Sequence, residues 1–317
     1  MSIWVCGEVL IDLLPGDPSD PSDPSDPSDP GRIAIVGGGP ANTAKALSRL
    51  GHEVQFIDGI STDAYGKSAR AELIHDGVGL DLALTSDLPT CTATVSLDSY
   101  GSASYEFLIE DTATFAFDNS WLPDPEKFKP EVLQIGTLVT IIEPGASVLY
   151  DWAVQVSEFA PIVFDPNIRP SVMPDLIKYR DEVEKWIKIS SVVKFSEDDI
   201  AALYPNEDPI GIAKICIEKG VQLVVITRGA NGLVGVTADG VVEVPGIKVA
   251  VVDTVGAGDT VGAIIVEAVT QIGIVNLTGS KLREVLHRAA VAAAITCSRA
   301  GAQPPRLFEL TEALDRK

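Results

Sequence analysis

The chain has 317 residues, 46% of them apolar, enough for one large buried core and too many for a disulfide-stapled module. Its formal net charge of −21 leaves no basic surplus, which argues against nucleic acid and anionic membrane surfaces as partners. There is no basic leader and no apolar run near the roughly 20 residues a bilayer requires, and Cys6, Cys91, Cys216 and Cys297 lie far apart without C-x-x-C spacing, so a cytoplasmic chain with free core thiols is expected.

In chain order, Ile3 to Val5 and Val9 to Leu14 read as an apolar first strand broken by Gly7 and Glu8, delivering Asp12 near its end. Residues 17–30 repeat Pro-Ser-Asp; proline removes donors and fixes φ while the aspartates repel, so a flexible acidic loop is expected there, with neither helix nor sheet interior. After the short apolar stretch Ile33 to Val36, the run Gly37-Gly38-Gly39-Pro40 leads into a helix in which Ala44, Leu47 and Leu50 share a face and Gly51 is the stop. Glu53 to Ile57 reads as a strand and Asp63 to Asp76 as a helix. Cys91 to Leu97 and Ser104 to Leu108, joined by the turn sequence Asp98-Ser-Tyr-Gly, predict an antiparallel pair. Val132 to Ile135, Ile162 to Asp165, Val192 to Lys194 and Leu223 to Thr227 are short apolar strands with room between them for crossover helices, as in a parallel sheet covered on both faces. Leu233 to Val236 and Gly240 to Val244 predict a hairpin, and Lys281 to Cys297 a final helix.

The strongest chemical signal is Val252-Asp253-Thr254-Val255-Gly256-Ala257-Gly258-Asp259-Thr260, ahead of the apolar run Val261 to Ala268. Small residues at a helix mouth allow close approach, and the first N–H groups of that helix lack intrahelical partners, so Gly256, Ala257 and Gly258 make an anion hole. Asp259 at the same mouth serves either as a base for an incoming hydroxyl or as an ordinary N-cap. The loop is not a Walker A element, and Gly37 to Gly39 do not complete G-x-G-x-x-G, which weakens a dinucleotide-binding dehydrogenase. Gly38, Gly39 and Asn42 form either a close-approach site for a polyhydroxylated ligand or a simple turn into a helix.

These two glycine clusters, in this order, resemble the signatures of the ribokinase-like carbohydrate kinases, the PfkB family, and most of all its fructokinase branch; the likeness runs over nearly the whole chain. The resemblance implies a single ribokinase-like α/β domain over 1–317, a mainly parallel sheet flanked by helices, and a small β lid from segments near 9–36 and 90–116. It implies transfer of the γ-phosphoryl group of ATP to a sugar, with Asp259 as general base, D-fructose as first substrate and fructose 6-phosphate as product. Asp12, Gly38, Gly39 and Asn42 then hold the sugar, and Asp165-Pro166-Asn167-Ile168-Arg169 resembles the D-P-N-x-R segment along the phosphate channel, with Asp165 and Asn167 counted among the substrate-binding residues and Arg169 countering phosphate charge. Lys194 and Glu197 match the N-x-x-E element with lysine in first place, Lys194 reaching a phosphate and Glu197 organising water about Mg²⁺. Thr227, Arg228, Gly229 and Gly232 match the nucleotide loop T-x-G-x-x-G, and Asp253 with Arg299-Ala300-Gly301-Ala302 resembles the region of a K⁺ site in relatives.

One stretch departs from the fructokinase pattern: Leu108 to Thr114 has Ile109 where an arginine is common and Thr114 where an aspartate is common. Isoleucine donates no hydrogen bond, so recognition of the sugar hydroxyls must differ or be supplied elsewhere. Another neutral sugar or a nucleoside is therefore the alternative substrate; a non-catalytic binding protein and a nicotinamide-dependent dehydrogenase are the alternative functions. Mg²⁺ with ATP, K⁺ activation, a small neutral sugar, and a monomer or homodimer complete the expectations.

Overall fold

The structure, a computed structural model, describes residues 2–16, 25–26, 29–97 and 103–316. Two sheets organise it. The larger has eight strands in the order β15-β14-β13-β12-β11-β10-β1-β5: β1 (Ile3–Cys6), β5 (Val54–Ile57), β10 (Val132–Gly136), β11 (Ile162–Asp165), β12 (Val192–Ser196) and β13 (Leu223–Thr227) run parallel, and β14 (Leu233–Thr237) and β15 (Gly240–Val244) close it antiparallel. The smaller has five, β3 (Ser25–Asp26), β4 (Asp29–Gly37), β2 (Leu10–Pro15), β8 (Thr92–Leu97) and β9 (Ala103–Leu108). A two-strand pair, β6 (Gly59–Ser61) and β7 (Leu84–Ser86), lies apart from both.

Strand residues alternate between two cores. On one face Ile3, Val5, Val54, Val132, Val163 and Leu223 pack with α1 (Gly39–Arg49), α2 (Ala64–His75), α8 (Ala257–Ile272), α9 (Gly279–Cys297) and α10 (Leu307–Asp315). On the other, Trp4, Cys6, Leu133, Ile162, Phe164 and Val224 pack with α4 (Gly145–Ser157), α5 (Leu176–Ile189), α6 (Glu197–Leu203) and α7 (Pro209–Glu218). The one-turn α3 (Pro125–Phe128) brings Phe128 to 6.4 Å from Trp4, whose ring stacks on Trp152 at 5.9 Å. Burial on both faces explains why these strands read as continuous apolar runs. Among the described residues no helix is long and apolar enough to cross a membrane.

Two sequence expectations need correcting. The apolar segment at the N-terminus is two strands in two sheets: β1 enters the large sheet, the chain turns at Gly7 and Glu8, and β2 enters the small one, where Asp12 pairs with Ile35. An apolar run does not encode a change of sheet, whereas the Gly-Glu interruption marks where it happens. The acidic repeat is also not wholly irregular. Ser25–Asp26 and Asp29 onward are strands, with Asp26 opposite Asp29 and β3 at the sheet edge. Residues 17–24 and 27–28 of the repeat, and the turn at 98–101, lie outside the described residues. The cysteines are free, but Cys297 is only half-buried.

Candidate active site

The anion hole begins with Gly256, the N-cap of α8, at φ +77°, which suits glycine and lets the chain turn into the helix with no side chain in the way. A Cβ there would also meet the Cβ of Ala302 at 2.7 Å. The N–H of Ala257 goes to the Thr254 carbonyl at 3.3 Å and that of Thr260 to the Gly256 carbonyl at 2.9 Å. Among the described residues, nothing accepts from Gly258 or Asp259 N–H, so two donors face the mouth. The helix dipole adds to their attraction for an anion. Asp259 is the third residue of α8 and makes no cap bond, so the N-cap reading is not what the structure contains.

Asp259 is held by α1. Asn42 Nδ2 donates to Asp259 Oδ2 at 2.9 Å, and the Thr43 hydroxyl donates to the Asp259 carbonyl at 3.4 Å. This positioning depends on the entry into α1. Gly38 has φ +105°, and a Cβ on it would fall 2.3 Å from the Glu8 carbonyl oxygen, so only glycine lets the helix start so close to the β1–β2 link. The next residue, Gly39, is where the acceptor groups converge: a Cβ on it would lie 3.0 Å from Asn167 Nδ2, 3.2 Å from Asp259 Oδ1 and 3.2 Å from Thr137 Cγ2. Burial pushes the Asp259 carboxyl up from its ordinary range, opposed by Lys194, the Asn42 hydrogen bond, Arg169 and Lys45. A carboxylate so placed is a stronger base than one in water. Asn42 Oδ1, on the same amide, is buried without a partner and is available to a hydroxyl.

Asp165 ends β11, and Lys194 is the middle residue of the neighbouring parallel strand β12. They form a buried ion pair at 2.7 Å. Burial works against the Lys194 ammonium, yet Asp165, Asp199 and Asp259 together raise its pKa, so it stays charged. A Cβ on Gly258 would be 3.2 Å from Lys194 Nζ, which puts the ammonium at the anion hole. Asp165 was expected to hold the sugar; its Oδ2 instead accepts from Lys194, while Oδ1 has no partner.

From Lys194 a cleft of about 910 Å³ opens along the large sheet, lined by Glu197, Thr227, Arg228, Gly229 and Gly232, the expected nucleotide set, and by Asn167 and Gly258 at its inner end. Part of its wall, Ile247, Val249, Val251, Ala290, Ala293, Ala294 and Cys297, is an apolar surface suited to a flat base, while Asp198, Asp199 and Lys248 add charge to the lining. None of these wall residues stood out in the sequence; a loop followed by an alanine-rich helix carries no local mark.

Arg169 departs from expectation. It is exposed, does not line the cleft, and turns its guanidinium back onto Asn167 Oδ1 at 2.8 Å and the carbonyls of Asn167 and Ile168, both at 3.0 Å. Its charge lowers the pKa of Glu8, Asp12 and Asp259, so it serves the acceptor side. Asp12 lies on that side, its carboxylate over Gly37; burial pushes it up to about 6, with Arg169 opposing.

Thr114 is a core residue: its hydroxyl bonds the Val9 carbonyl and Asp58 Oδ2, each at 3.2 Å, so it does not face a ligand. Asp58 is fully buried and also accepts from Val9 and Gly59 N–H at 2.9 and 2.8 Å. Asp253 spends both oxygens on protein, accepting from Val255 and Gly301 N–H at 3.0 and 2.9 Å, and so ties the loop before α8 to the segment after α9. Its carboxylate is therefore a strut between these segments. Among the described residues no group of three His, Cys, Asp or Glu side chains is arranged to hold a metal ion. A divalent ion that arrives on phosphates fits this donor set, with Glu197 at the cleft wall for its water shell.

Residues 2–307 match the family described as pfkB family carbohydrate kinase. A fructokinase of Rhizobium leguminosarum bv. trifolii is 34% identical over 261 residues, 82% of this chain and 77% of that one. A fructokinase of Escherichia coli is 25% identical over 95% of this chain and 94% of its own. Among solved structures, the fructokinase of Xylella fastidiosa with bound ATP superposes with a TM-score of 0.87 at 24% identity, covering 99% of this chain and 98% of that one. The aminoimidazole riboside kinase of Salmonella enterica superposes at 0.82 and 21% identity over the whole of both chains. These likenesses establish the ribokinase-like fold and set aside the dehydrogenase alternative. With its two glycine clusters converging on Asp259 at the mouth of α8, the chain belongs to the pfkB family of carbohydrate kinases.

Proposed function

We propose that the protein transfers the γ-phosphoryl group of MgATP to the primary hydroxyl of D-fructose, giving fructose 6-phosphate. The observation that carries this reading is the position of Asp259, beside two unpartnered backbone donors, within reach of Asn42 and close to Lys194. The nucleotide occupies the 910 Å³ cleft, its base against the apolar wall and its phosphates directed toward Lys194 and Gly258. Asp12, Asn42 and Asn167 orient the sugar; Asp259 takes the hydroxyl proton as the oxygen attacks phosphorus, and the N–H groups of Gly258 and Asp259 with the Lys194 ammonium meet the charge on the phosphoryl oxygens. Bound Mg²⁺ supplies further neutralisation of the phosphates. The five-stranded sheet, which presents Asp12, serves as the lid that excludes water from the acceptor. A K⁺ ion near the loop that Asp253 ties to Gly301 would stiffen the anion hole without entering the chemistry.

Fructose is put first because relatives such as the Rhizobium protein are fructokinases, and because the acceptor side gathers Glu8, Asp12 and Asp259 against one nearby exposed arginine, a field suited to a neutral polyol. The test is a coupled ADP-release assay with MgATP over neutral sugars, sugar acids and nucleosides, with and without K⁺. Fructose should be used with the highest kcat/KM, at least about tenfold above a six-carbon keto-sugar acid, whose carboxylate meets these acids. Preference for the acid or for a nucleoside overturns the substrate assignment, and sugar-independent ADP release overturns the kinase reading.

A further inference from the structure

Glu8 is a buried carboxyl beside the acceptor groups for which the mechanism above has no task. It sits where the chain leaves β1 for β2, 3% exposed, and both its carboxyl oxygens accept from the Thr137 hydroxyl. Thr137 is itself unusual. A β-branched residue with φ +60°, it occupies a left-handed conformation that such side chains rarely adopt, and it is 3% exposed at the end of β10. Its Cγ2 is packed against Gly39, on the point where Asp259 Oδ1 and Asn167 Nδ2 also converge. The Glu8 backbone completes the contact, since its carbonyl backs Gly38 at a distance that excludes a Cβ.

We infer that ionised Glu8 is a positioning residue for the phosphoryl transfer: its charge-assisted hold on the Thr137 hydroxyl keeps that strained turn pressed on Gly39, and the turn in turn fixes Asp259 and Asn167 about the acceptor hydroxyl. Uptake of a solvent proton by Glu8 replaces a carboxylate acceptor by a neutral one and weakens the hold. Burial pushes Glu8 up to about 7; the Thr137 bond, its own backbone N–H and Arg169 oppose this, and Asp259 adds to it. The titratable groups that face it are Cys6 at the end of β1, Asp58 after β5, Cys91 before β8, Arg169 after β11, Tyr179 on α5 and Asp259 on α8. Arg169 is the cation of that set, and Asp12, Tyr179 and Asp259 share its field, so it offsets the burial of Glu8 only in part. This inference rests on Asp259 being the base.

The experiment compares the whole protein with Glu8→Gln, Thr137→Val and Asp259→Asn, measuring kcat/KM for fructose at saturating MgATP from pH 5.5 to 9. In the parent, the acid limb should carry a step of about tenfold in total as Glu8 takes up its proton, in addition to the loss from protonating Asp259; in Glu8→Gln that step should be absent. At pH 8 Glu8→Gln should lose about tenfold in kcat while KM for MgATP holds, since the acceptor geometry is loosened and the nucleotide cleft is untouched. Thr137→Val removes the hydroxyl at nearly equal volume, so it should lose about the same tenfold in kcat at pH 8 together with that step of the limb. Infrared titration of the resting protein, with the Glu8 carboxyl band assigned by its loss in Glu8→Gln, should place its ionisation on that same step. A parent limb without that step, an acid limb unchanged by Glu8→Gln, or a Glu8 band that titrates away from the step overturns the inference. Should Glu8→Gln fail to fold, the Thr137→Val profile decides it, a retained step being fatal. Full turnover in Asp259→Asn would instead remove the base assignment, and the infrared titration would still report on Glu8.

Discussion

At the nucleotide end of the site the large sheet supplies few charges and many backbone donors. The first turn of α8 and the buried ammonium of Lys194 face an open cleft, along which Arg228 and Lys248 add positive charge and Ala, Val and Gly supply much of the wall. At the acceptor end the reverse holds: Glu8 from the β1–β2 link, Asp58 after β5 and Asp259 on α8 are buried, Asp12 of the small sheet is half-buried, and the protein supplies hydrogen bonds to Glu8, Asp58 and Asp259. The contrast shows how a chain with a net charge of −21 can take a polyanion at all. Dipoles and one anchored lysine act where the phosphates go, and the acids are kept behind α1, where a hydroxyl must lose its proton.

The comparison breaks most completely at Asp259, the group that belongs to both ends. Asp259→Asn keeps the bond with Asn42 within reach and leaves the cleft wall intact, but removes the base. Turnover should fall by about a thousandfold, while the Kd for MgATP, read by calorimetry, stays within a few-fold of the parent. Loss of ATP binding on the same scale as turnover would mean that Asp259 organises the nucleotide end and is no base.

Lys194 sharpens the other half. Lys194→Met should raise KM for MgATP and lower kcat/KM by about a hundredfold, the scale of losing one preorganised charge at a transferring group. It also leaves Asp165 buried without its cation, so stability should drop by about 3 kcal/mol. The double variant Lys194→Met/Asp165→Asn separates the two effects in a mutant cycle. If Asp165 acts only by anchoring Lys194, adding Asp165→Asn restores stability and costs no further activity. If Asp165 touches the sugar, as the sequence alone led one to expect, KM for fructose rises in the double variant beyond the single.

The same contrast explains what was legible in the sequence. The large sheet could be read strand by strand, because burial on both faces writes itself as short apolar runs such as Leu223 to Thr227, and because glycines such as Gly38 and Gly256 stand where positive φ or close approach forbids a side chain. The segment read as the nucleotide loop and Lys194 both line the cleft. What escaped was tertiary in origin. Whether Asp259 caps α8 or stands inside its first turn differs by three residues, and only Gly256 at φ +77° decides it. Arg169 looked like a phosphate ligand from its motif, yet the turn at Asn167, φ +41°, sends the guanidinium back onto its own loop. Glu8 and Thr137 are a lone acid and a lone threonine far apart in the chain. The one local clue was an acid inside an apolar stretch, a residue type seldom buried without a partner.

The smallest expected effect is on stability, and its sign follows from the acceptor end. Glu8 is raised from 4.5 to about 7 and Asp12 from 3.8 to about 6, each chiefly by burial. A carboxyl whose folded pKa lies above its unfolded one contributes stability that is complete below the unfolded value and is lost as pH rises through the folded value. The carboxylates lowered by their partners, among them Asp63, Glu184, Glu267 and Glu309, work in the opposite sense, but at pH values below their ordinary range near 4, and contribute evenly above it. Between pH 5 and 8 the raised group therefore decides the slope. Glu8 alone should contribute a loss of about 3 kcal/mol across its window, and Tm by calorimetry should fall by about 5 °C from pH 5 to pH 8. Glu8→Gln, which has no proton to lose, should flatten most of that decline. Since ionised Glu8 is also the form assigned to positioning the acceptor, activity and stability should cross in the same pH window, one rising as the other falls. A protein whose Tm climbs between pH 5 and 8 would show that these acids are not held protonated by burial, and that the acceptor end is no more acidic in its behaviour than the cleft.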